Sequence, residues 1–360
     1  MADITLEELR QQIDGVDEQL QTLLNQRASL AKQVGEVKIA NNDLVFYRPE
    51  REAQVLRNVK ERNQGPLDNE TVARLFREVM SACLALEEPM RIAFLGPEGT
   101  FTQQAALKHF GKAVTTTALG TIDDVFREVA SGAVNYGVVP VENSTEGVVN
   151  HTLDSFMDTS LKICGEVDLR IHHHLLSGPQ TRMDNVTRVY AHQQTLAQCR
   201  KWLDAHMPHL ERVAVSSNGE AAKRMQSEWN ALAIAGEIAA DMYGLTIEHE
   251  KIEDWPDNTT RFIIIGREDV PPSGKDKTSM LVRMQNHPGA LFHVLKPFND
   301  RGVDLTRVES RPSRSGNWSY VFFIDCSGHQ TDTELAAVIQ ELKEQALDVR
   351  LLGSYPVAEL

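Results

Sequence analysis

At 360 residues the chain is too long for one ordinary core and predicts two or three domains. Its formal net charge of −14 argues against non-specific binding to nucleic acid or anionic membrane, so an anionic small molecule must meet a local basic patch. No apolar run approaches the ~20 residues of a membrane span, and the acidic, amphipathic N-terminus is unlike a signal peptide. Cys83, Cys164, Cys199 and Cys326 are scattered without metal or disulfide spacing, which predicts a reduced, cytoplasmic compartment.

Residues 4 to about 88 are helical in pattern. Leu6, Leu9, Ile13, Val16, Leu20, Leu23, Leu24, Leu30, Val34 and Val37 recur at helical spacing, and Asn41-Asn42-Asp43 breaks the run. Pro49 suits the first position of a second helix; Gly65-Pro66 separates it from a third, which Asp68 can cap. The first helix would run ~35 residues, or ~50 Å, and two shorter helices cannot cover it in a monomer. A helical dimer is expected. Arg27 and Lys38, eleven residues apart, share a face with Cα atoms ~16 Å apart, a spacing that can bracket a dicarboxylate. Arg10 lies ~25 Å from Arg27 and could serve the partner's site in an antiparallel dimer. Arg51, Glu52 and Glu87 would complete a polar pocket; ordinary surface charges are the alternative.

The stretch LRQQIDGVDEQLQTLLNQRASLAKQVGEVK followed by PERE resembles the all-helical chorismate mutases over residues 5–88. The resemblance implies that Arg10 (from the other subunit), Arg27 and Arg51 hold two carboxylates. Lys38 would hydrogen-bond the ether oxygen and Glu52 the ring hydroxyl. The reaction is pericyclic, so catalysis is positioning plus stabilisation of charge on the breaking ether bond. Three positions depart from the common pattern: Arg48 for Asp, Cys83 for Ser and Glu87 for Gln. A carboxyl at 87 can donate to the ether oxygen only when protonated, so mutase activity should fall as pH rises.

From Arg91 short apolar runs alternate with helical stretches. Strands are expected at Ile92–Leu95, Gly137–Val141, Val186–Tyr190, Leu232–Ala235 and Phe262–Gly266, with helical patterns such as Thr121–Ala130, Leu196–Ala205 and Gly219–Gln226 between them. That is α/β with mostly parallel sheets, long enough for two lobes. His172, His173 and His174 alternate faces on a strand and do not converge on a metal. Four polar clusters sit at element ends, where α/β proteins bind ligands. Gly96-Pro97-Glu98-Gly99-Thr100-Phe101-Thr102 opens a helix and suits an anion through Thr100, Thr102 and the backbone. Glu142-Asn143-Ser144 ends an apolar strand. His192-Gln193-Gln194-Thr195 with Gln198 follows another, and Asn258-Thr259-Thr260-Arg261-Phe262 leads into a third.

In order and separation GPEGTFT, PVENSTEG, the HQ…QC segment and TTRF resemble prephenate dehydratase over about 91–268. The resemblance implies a two-lobed, periplasmic-binding-protein-like α/β domain with the site in the cleft. Prephenate there loses its ring carboxylate as CO2 and its hydroxyl as water, with no cofactor and no metal. Thr260 would assist departure of the hydroxyl, with Arg261 as carboxylate anchor or lobe clamp. Glu142 is the rival acid and would need burial to stay protonated. Asn143, Ser144 and Gln198 would contact substrate. Ala191 and Gln193 depart from a Ser and a Pro common in the family.

After Pro271-Pro272-Ser273-Gly274 a third pattern follows: strand Thr278–Met284, helix Gly289–Asp300, strands Val303–Ser310 and Trp318–Asp325, helix Asp332–Gln345 and strand Val349–Leu352. This βαββαβ order is ferredoxin-like. Gly289-Ala290-Leu291 and Glu309-Ser310-Arg311-Pro312 resemble the ACT-type module that binds phenylalanine in prephenate dehydratases, which implies feedback inhibition. The expected organisation is a mutase domain at 1–90, a dehydratase domain at 91–268 and an ACT domain at 277–355. The whole would convert chorismate through prephenate to phenylpyruvate as a homodimer or higher oligomer. The rivals are a non-catalytic amino-acid sensor and a protein with only the dehydratase active.

Overall fold

The computed structural model describes residues 4–43, 45–312 and 320–358. Three helices come first: α1 (Leu6–Ala40), α2 (Pro49–Arg62) and α3 (Asn69–Leu84). A capping box starts α1: the Thr5 hydroxyl accepts from Glu8 N, and the Glu8 carboxylate accepts from Thr5 N. Asp68 caps α3 by accepting from Thr71 N. Along α1 only Gly35 is buried, while Ile13, Leu20 and Leu23 are 58, 52 and 60% exposed. Burying each such side chain is worth ~1.5–3 kcal/mol, so the stripe is a face lacking its cover.

The middle region has two lobes. The first contains β1 (Arg91–Leu95), α4 (Phe101–Phe110), β2 (Thr115–Leu119), α5 (Ile122–Ser131), β3 (Tyr136–Asn143), β4 (Gly147–Val148), α6 (Asn150–Met157) and β5 (Lys162–Arg170). The second contains β6 (His174–Ser177), β7 (Arg188–His192), α7 (Gln193–Gln198), α8 (Arg200–His206), β8 (Glu211–Val215), α9 (Asn218–Arg224), β9 (Ala231–Ala235), α10 (Glu237–Tyr243) and β10 (Thr246–His249). Then β11 (Thr259–Gly266) returns to the first lobe and lies between β3 and β5, giving the order β2-β1-β3-β11-β5 with β4 beside β3. The second sheet runs β10-β6-β9-β7-β8.

Both sheets are mixed rather than mostly parallel. β11 is antiparallel to both its neighbours, and β6 is antiparallel to β9 and β10. That returning strand also explains two boundaries. β3 extends past Val141 through Asn143, and β11 begins at Thr259, because each supplies the other's ladder partners: Thr260 faces Asn143 and Arg261 faces Glu142. Local propensity for polar residues to leave a strand is overridden by long-range pairing.

The C-terminal module contains β12 (Asp276–Met284), α11 (Ala290–Asp300), β13 (Leu305–Pro312), β14 (Tyr320–Ser327), α12 (Thr333–Gln345) and β15 (Asp348–Pro356). Its antiparallel sheet has the order β13-β14-β12-β15, the expected ferredoxin-like arrangement; the expected strand start at Trp318 lies outside the described residues. One sheet face packs on α11 and α12 around Val282, Phe298, Ile324 and Leu342. The other packs on the first lobe: Leu281, Phe323, Leu352 and Tyr355 share a core with Val141, Phe156, Ile163 and Ile263. Among the described residues no helix is long and apolar enough to cross a membrane.

Candidate active sites and domain junctions

Antiparallel register puts Asn143 and Thr260 side by side on one face of the central sheet, near the crossing to the second lobe. Thr260 is 8% exposed, and its Oγ1 lies 2.8 Å from Asn143 Nδ2. Asn143 Nδ2 also donates to Asn258 Oδ1 at 2.8 Å, while Asn143 Oδ1 accepts from the backbone N–H groups of Thr145 and Glu146. Asn258 Nδ2 donates to Gln198 Oε1 at 3.3 Å, and His173 Nε2 lies 2.8 Å from the same oxygen. Glu146 spans the lobes: its carboxylate takes Gln198 Nε2 at 3.4 Å and Gln194 Nε2 at 3.3 Å. Thr260, Asn143 and Gln198 are therefore brought together as expected. Asn143 spends its side chain on Thr260, Asn258 and its own loop. Ser144 Oγ accepts from Thr259 N at 3.0 Å and closes the strand pair. Thr100 is the N-cap of α4, its hydroxyl turned back to Leu95 O, and Thr102 is buried in the first turn.

The next residues in register face the opposite way, and here two expectations are corrected. Arg261 does not line the cleft. Its guanidinium meets Glu166 at 2.8 Å, Asp325 at 2.6 Å and the Tyr355 hydroxyl at 3.0 Å, on the face covered by the C-terminal module. Burial alone would weaken its charge, but Tyr355, Asp325 and Glu166 outweigh that and hold it more firmly protonated than a free arginine. Lys277 adds a second cation to Glu166 at 2.8 Å. Glu142 lacks the burial an acid role requires: its side chain is 41% exposed and lies 3.2 Å from Arg307 Nε of β13. The physical reason is strand alternation: adjacent strand residues point to opposite faces, so Glu142 beside Asn143 and Arg261 beside Thr260 leave the cleft.

In the helical region Lys38 Nζ donates to Phe46 O at 2.9 Å and lies 3.5 Å from Glu87 Oε2, with Gly35 beneath Glu87. Cys83 is buried. Arg48 pairs with Asp43 at 2.8 Å and orders the α1–α2 loop. Arg27 is half-buried; Arg10 and Arg51 are exposed. Lys38 and Glu87 are thus assembled, and Arg10 extends away from them along α1. Glu52 is corrected: it faces the junction with the first lobe, where its carboxylate lies 3.2 Å from Arg77 Nε. Burial raises its affinity for a proton, and Arg77 partly offsets this. Arg77 donates to Lys108 O, and Tyr47 hydrogen-bonds His109 at 2.9 Å beside a cavity of about 30 Å³. Burial, with Arg77 nearby, pushes the His109 pKa down to about 3.

In the C-terminal module Gly289 caps α11 with φ +85°, a backbone that favours glycine; Ala290 starts the helix and Leu291 is exposed. Glu309, Ser310, Arg311 and Pro312 lie on edge strand β13. Arg311 reaches across to Asn150 and Asp154 of α6, at 2.6 and 2.7 Å, so its head is committed to the first lobe. Sequence reasoning assigned no role to Glu146, His173, Arg307, Asp325 and Tyr355, whose contacts with Gln198, Glu142 and Arg261 form across lobes or domains. Among the described residues no cluster of His, Cys, Asp and Glu could hold a metal ion.

Comparison with known proteins gives three family matches: chorismate mutase type II over residues 9–88, prephenate dehydratase over 92–270 and ACT domain over 278–344. A bifunctional chorismate mutase/prephenate dehydratase of Pseudomonas aeruginosa is 61% identical over 99% of this chain and 98% of its own. A crystal structure of prephenate dehydratase from Arthrobacter aurescens in complex with L-Phe is 35% identical, with TM-score 0.69 over 74% of this chain and 90% of that one. A quorum-quenching acylase is 30% identical, with the same TM-score of 0.69 over 75% of this chain and 98% of its own.

Proposed function

The chain belongs to the family of bifunctional chorismate mutase/prephenate dehydratases, and from that premise we propose how its residues divide the work. As an isomerase it rearranges chorismate to prephenate; as a lyase it takes prephenate to phenylpyruvate, under feedback inhibition by L-phenylalanine. A non-catalytic sensor is no longer needed to account for the two-lobed region.

In dehydration the electrons of the bond to the departing CO2 flow into the ring and expel the hydroxyl, which needs one proton to leave as water. The reading rests on the 2.8 Å contact between Asn143 and Thr260. Thr260 accepts that hydrogen bond and offers its own proton to the leaving oxygen; a threonine hydroxyl is a weak acid, so it stabilises developing charge or relays a proton. Gln198 and Ser144 contact the ring or side chain, and Thr100 and Thr102 at the start of α4 suit the pyruvyl carboxylate. Thr260→Ala should lower dehydratase kcat by about a hundredfold or more while mutase turnover persists. Normal dehydration in that variant refutes the assignment. The acylase likeness is not favoured, because the hydroxyl's described partner is an amide and not a base that could activate it.

In the mutase site Lys38 stabilises the breaking ether oxygen, Glu87 donates beside it when protonated, and Arg27 and Arg51 hold carboxylates. Arg10 of a second copy completes the site, which supports a homodimer or higher oligomer built on the exposed stripe of α1. The reading includes a cytoplasmic location and phenylalanine bound between Gly289–Leu291 and the Glu309–Pro312 edge. Supplying chorismate to the pure protein and following prephenate and phenylpyruvate, with and without phenylalanine, tests both activities and their inhibition. Loss of the first step alone would mark the mutase as the degenerate site.

A further inference from the structure

We propose that His173, at the junction of the two lobes, is a positioning residue for dehydration that acts through Gln198 to anchor a hydrogen-bond chain ending at Thr260. The proposal rests on the reading of Thr260 as the donor to the leaving hydroxyl.

The chain's direction follows from counting donors. Backbone N–H groups only donate, so the oxygen of the Asn143 amide must face Thr145 N and Glu146 N, each at 2.9 Å. Its NH2 then faces Asn258 Oδ1 and Thr260 Oγ1, and both protons are used. Thr260 accepts from Asn143, so its single proton is released for another partner. Asn258, whose oxygen is already an acceptor, must present its NH2 to Gln198 Oε1. Gln198 Oε1 also meets His173 Nε2 at 2.8 Å, so the imidazole must carry its proton on Nε2. Every link has one allowed sense.

His173 is built for that task. It lies between β5 and β6, is 1% exposed and packs edge-on against Phe101 at 5.5 Å between ring centroids. Its backbone N donates to Glu253, and its carbonyl accepts from Ile252 N. The ring is therefore fixed on both sides. Its Nδ1 is buried with no hydrogen-bond partner, which suits a bare lone pair and not a second N–H. Burial shifts the ring's proton affinity the same way, toward the neutral form. Without this donor, Gln198 loses one of the three hydrogen bonds that orient its amide. A displaced Gln198 no longer anchors Asn258, and through Asn258 the Asn143 amide that bonds Thr260 is less firmly held.

The test uses the full-length protein, with mutase turnover recorded in every variant as a control for folding. His173→Leu keeps bulk but cannot donate; His173→Gln restores an N–H near the Nε2 position. The expected result is a fall in dehydratase kcat of about tenfold or more for H173L, with KM changed much less and kcat largely recovered in H173Q. H173L combined with Gln198→Ala should be no slower than Q198A alone. Dehydration within twofold of the parent in H173L overturns the proposal. So does an equal loss in the Leu and Gln variants that adds to the loss from Q198A, because that pattern marks packing alone. Failure of the underlying reading has a separate signature: Thr260→Ala would itself remain active.

Discussion

Two carboxyls and one imidazole are given different roles by their surroundings. Glu87 lies 3.5 Å from Lys38, where the proposed mutase site puts its donor to the ether oxygen. An amide can donate where a carboxylate cannot, so Glu87→Gln should raise mutase kcat/KM by roughly fivefold, for ~1 kcal/mol of hydrogen bond. An unchanged or lower mutase rate in the variant would count against this role. Glu52 is instead held by Arg77 at the domain junction, beside His109. Because the folded pKa of His109 is about 3 against an ordinary value of 6.5, the unfolded chain binds a proton that the folded chain refuses between those pH values. The stability it contributes is present above pH ~6.5 and drains away as pH falls toward 3. His109→Asn, which cannot titrate, should lose less thermal stability than the parent between pH 7 and 5, as scanning calorimetry would read.

At the scale of elements, the same periodicity that made α1 legible also made its solitude conspicuous. Its heptad-like stripe was readable residue by residue, and the structure leaves Ile13, Leu20 and Leu23 more than half exposed. Leu20→Glu puts a charge where a second copy should pack, at a cost of several kcal/mol if the face is buried. Sedimentation should then show a lighter particle, with mutase kcat/KM lower by about tenfold or more and dehydration of added prephenate retained. An unchanged mass would remove this helix from the interface. β3 and β11 teach the opposite lesson. Their apolar centres were visible in sequence, but Glu142-Asn143 and Thr259-Thr260-Arg261 are polar and carried no strand signal. They are extended because each is the other's ladder partner across more than a hundred residues of chain.

For the whole molecule, the face of the central sheet opposite the cleft is the seat of the C-terminal module. Arg307 of β13 holds Glu142, and Asp325 of β14 holds Arg261; each held residue is one step along its strand from Asn143 or Thr260. Were phenylalanine to bind against β13 as proposed and shift that strand, the path to the proposed dehydratase site would be short. Arg307→Leu and Glu142→Gln should both raise the phenylalanine concentration needed for half-inhibition, by about fivefold or more, without moving dehydratase KM greatly. Normal inhibition in both variants would remove these pairs from the route.

From the sequence by itself came three domains, their order and the two chemistries, because periodicity and short motifs are local properties that survive without a fold. Lys38 with Glu87, and Thr260 with Asn143 and Gln198, were named from such motifs and are together in space. What only the tertiary structure decided is which way each side chain faces and what meets it there. Glu52, Glu142 and Arg261 sit within the right motifs yet turn to domain junctions, since a single step along a strand, or a different packing face of a helix, reverses the environment. His173 and Glu146 acquired their roles from partners in the other lobe, and no pattern along the chain encodes a meeting that long-range packing creates.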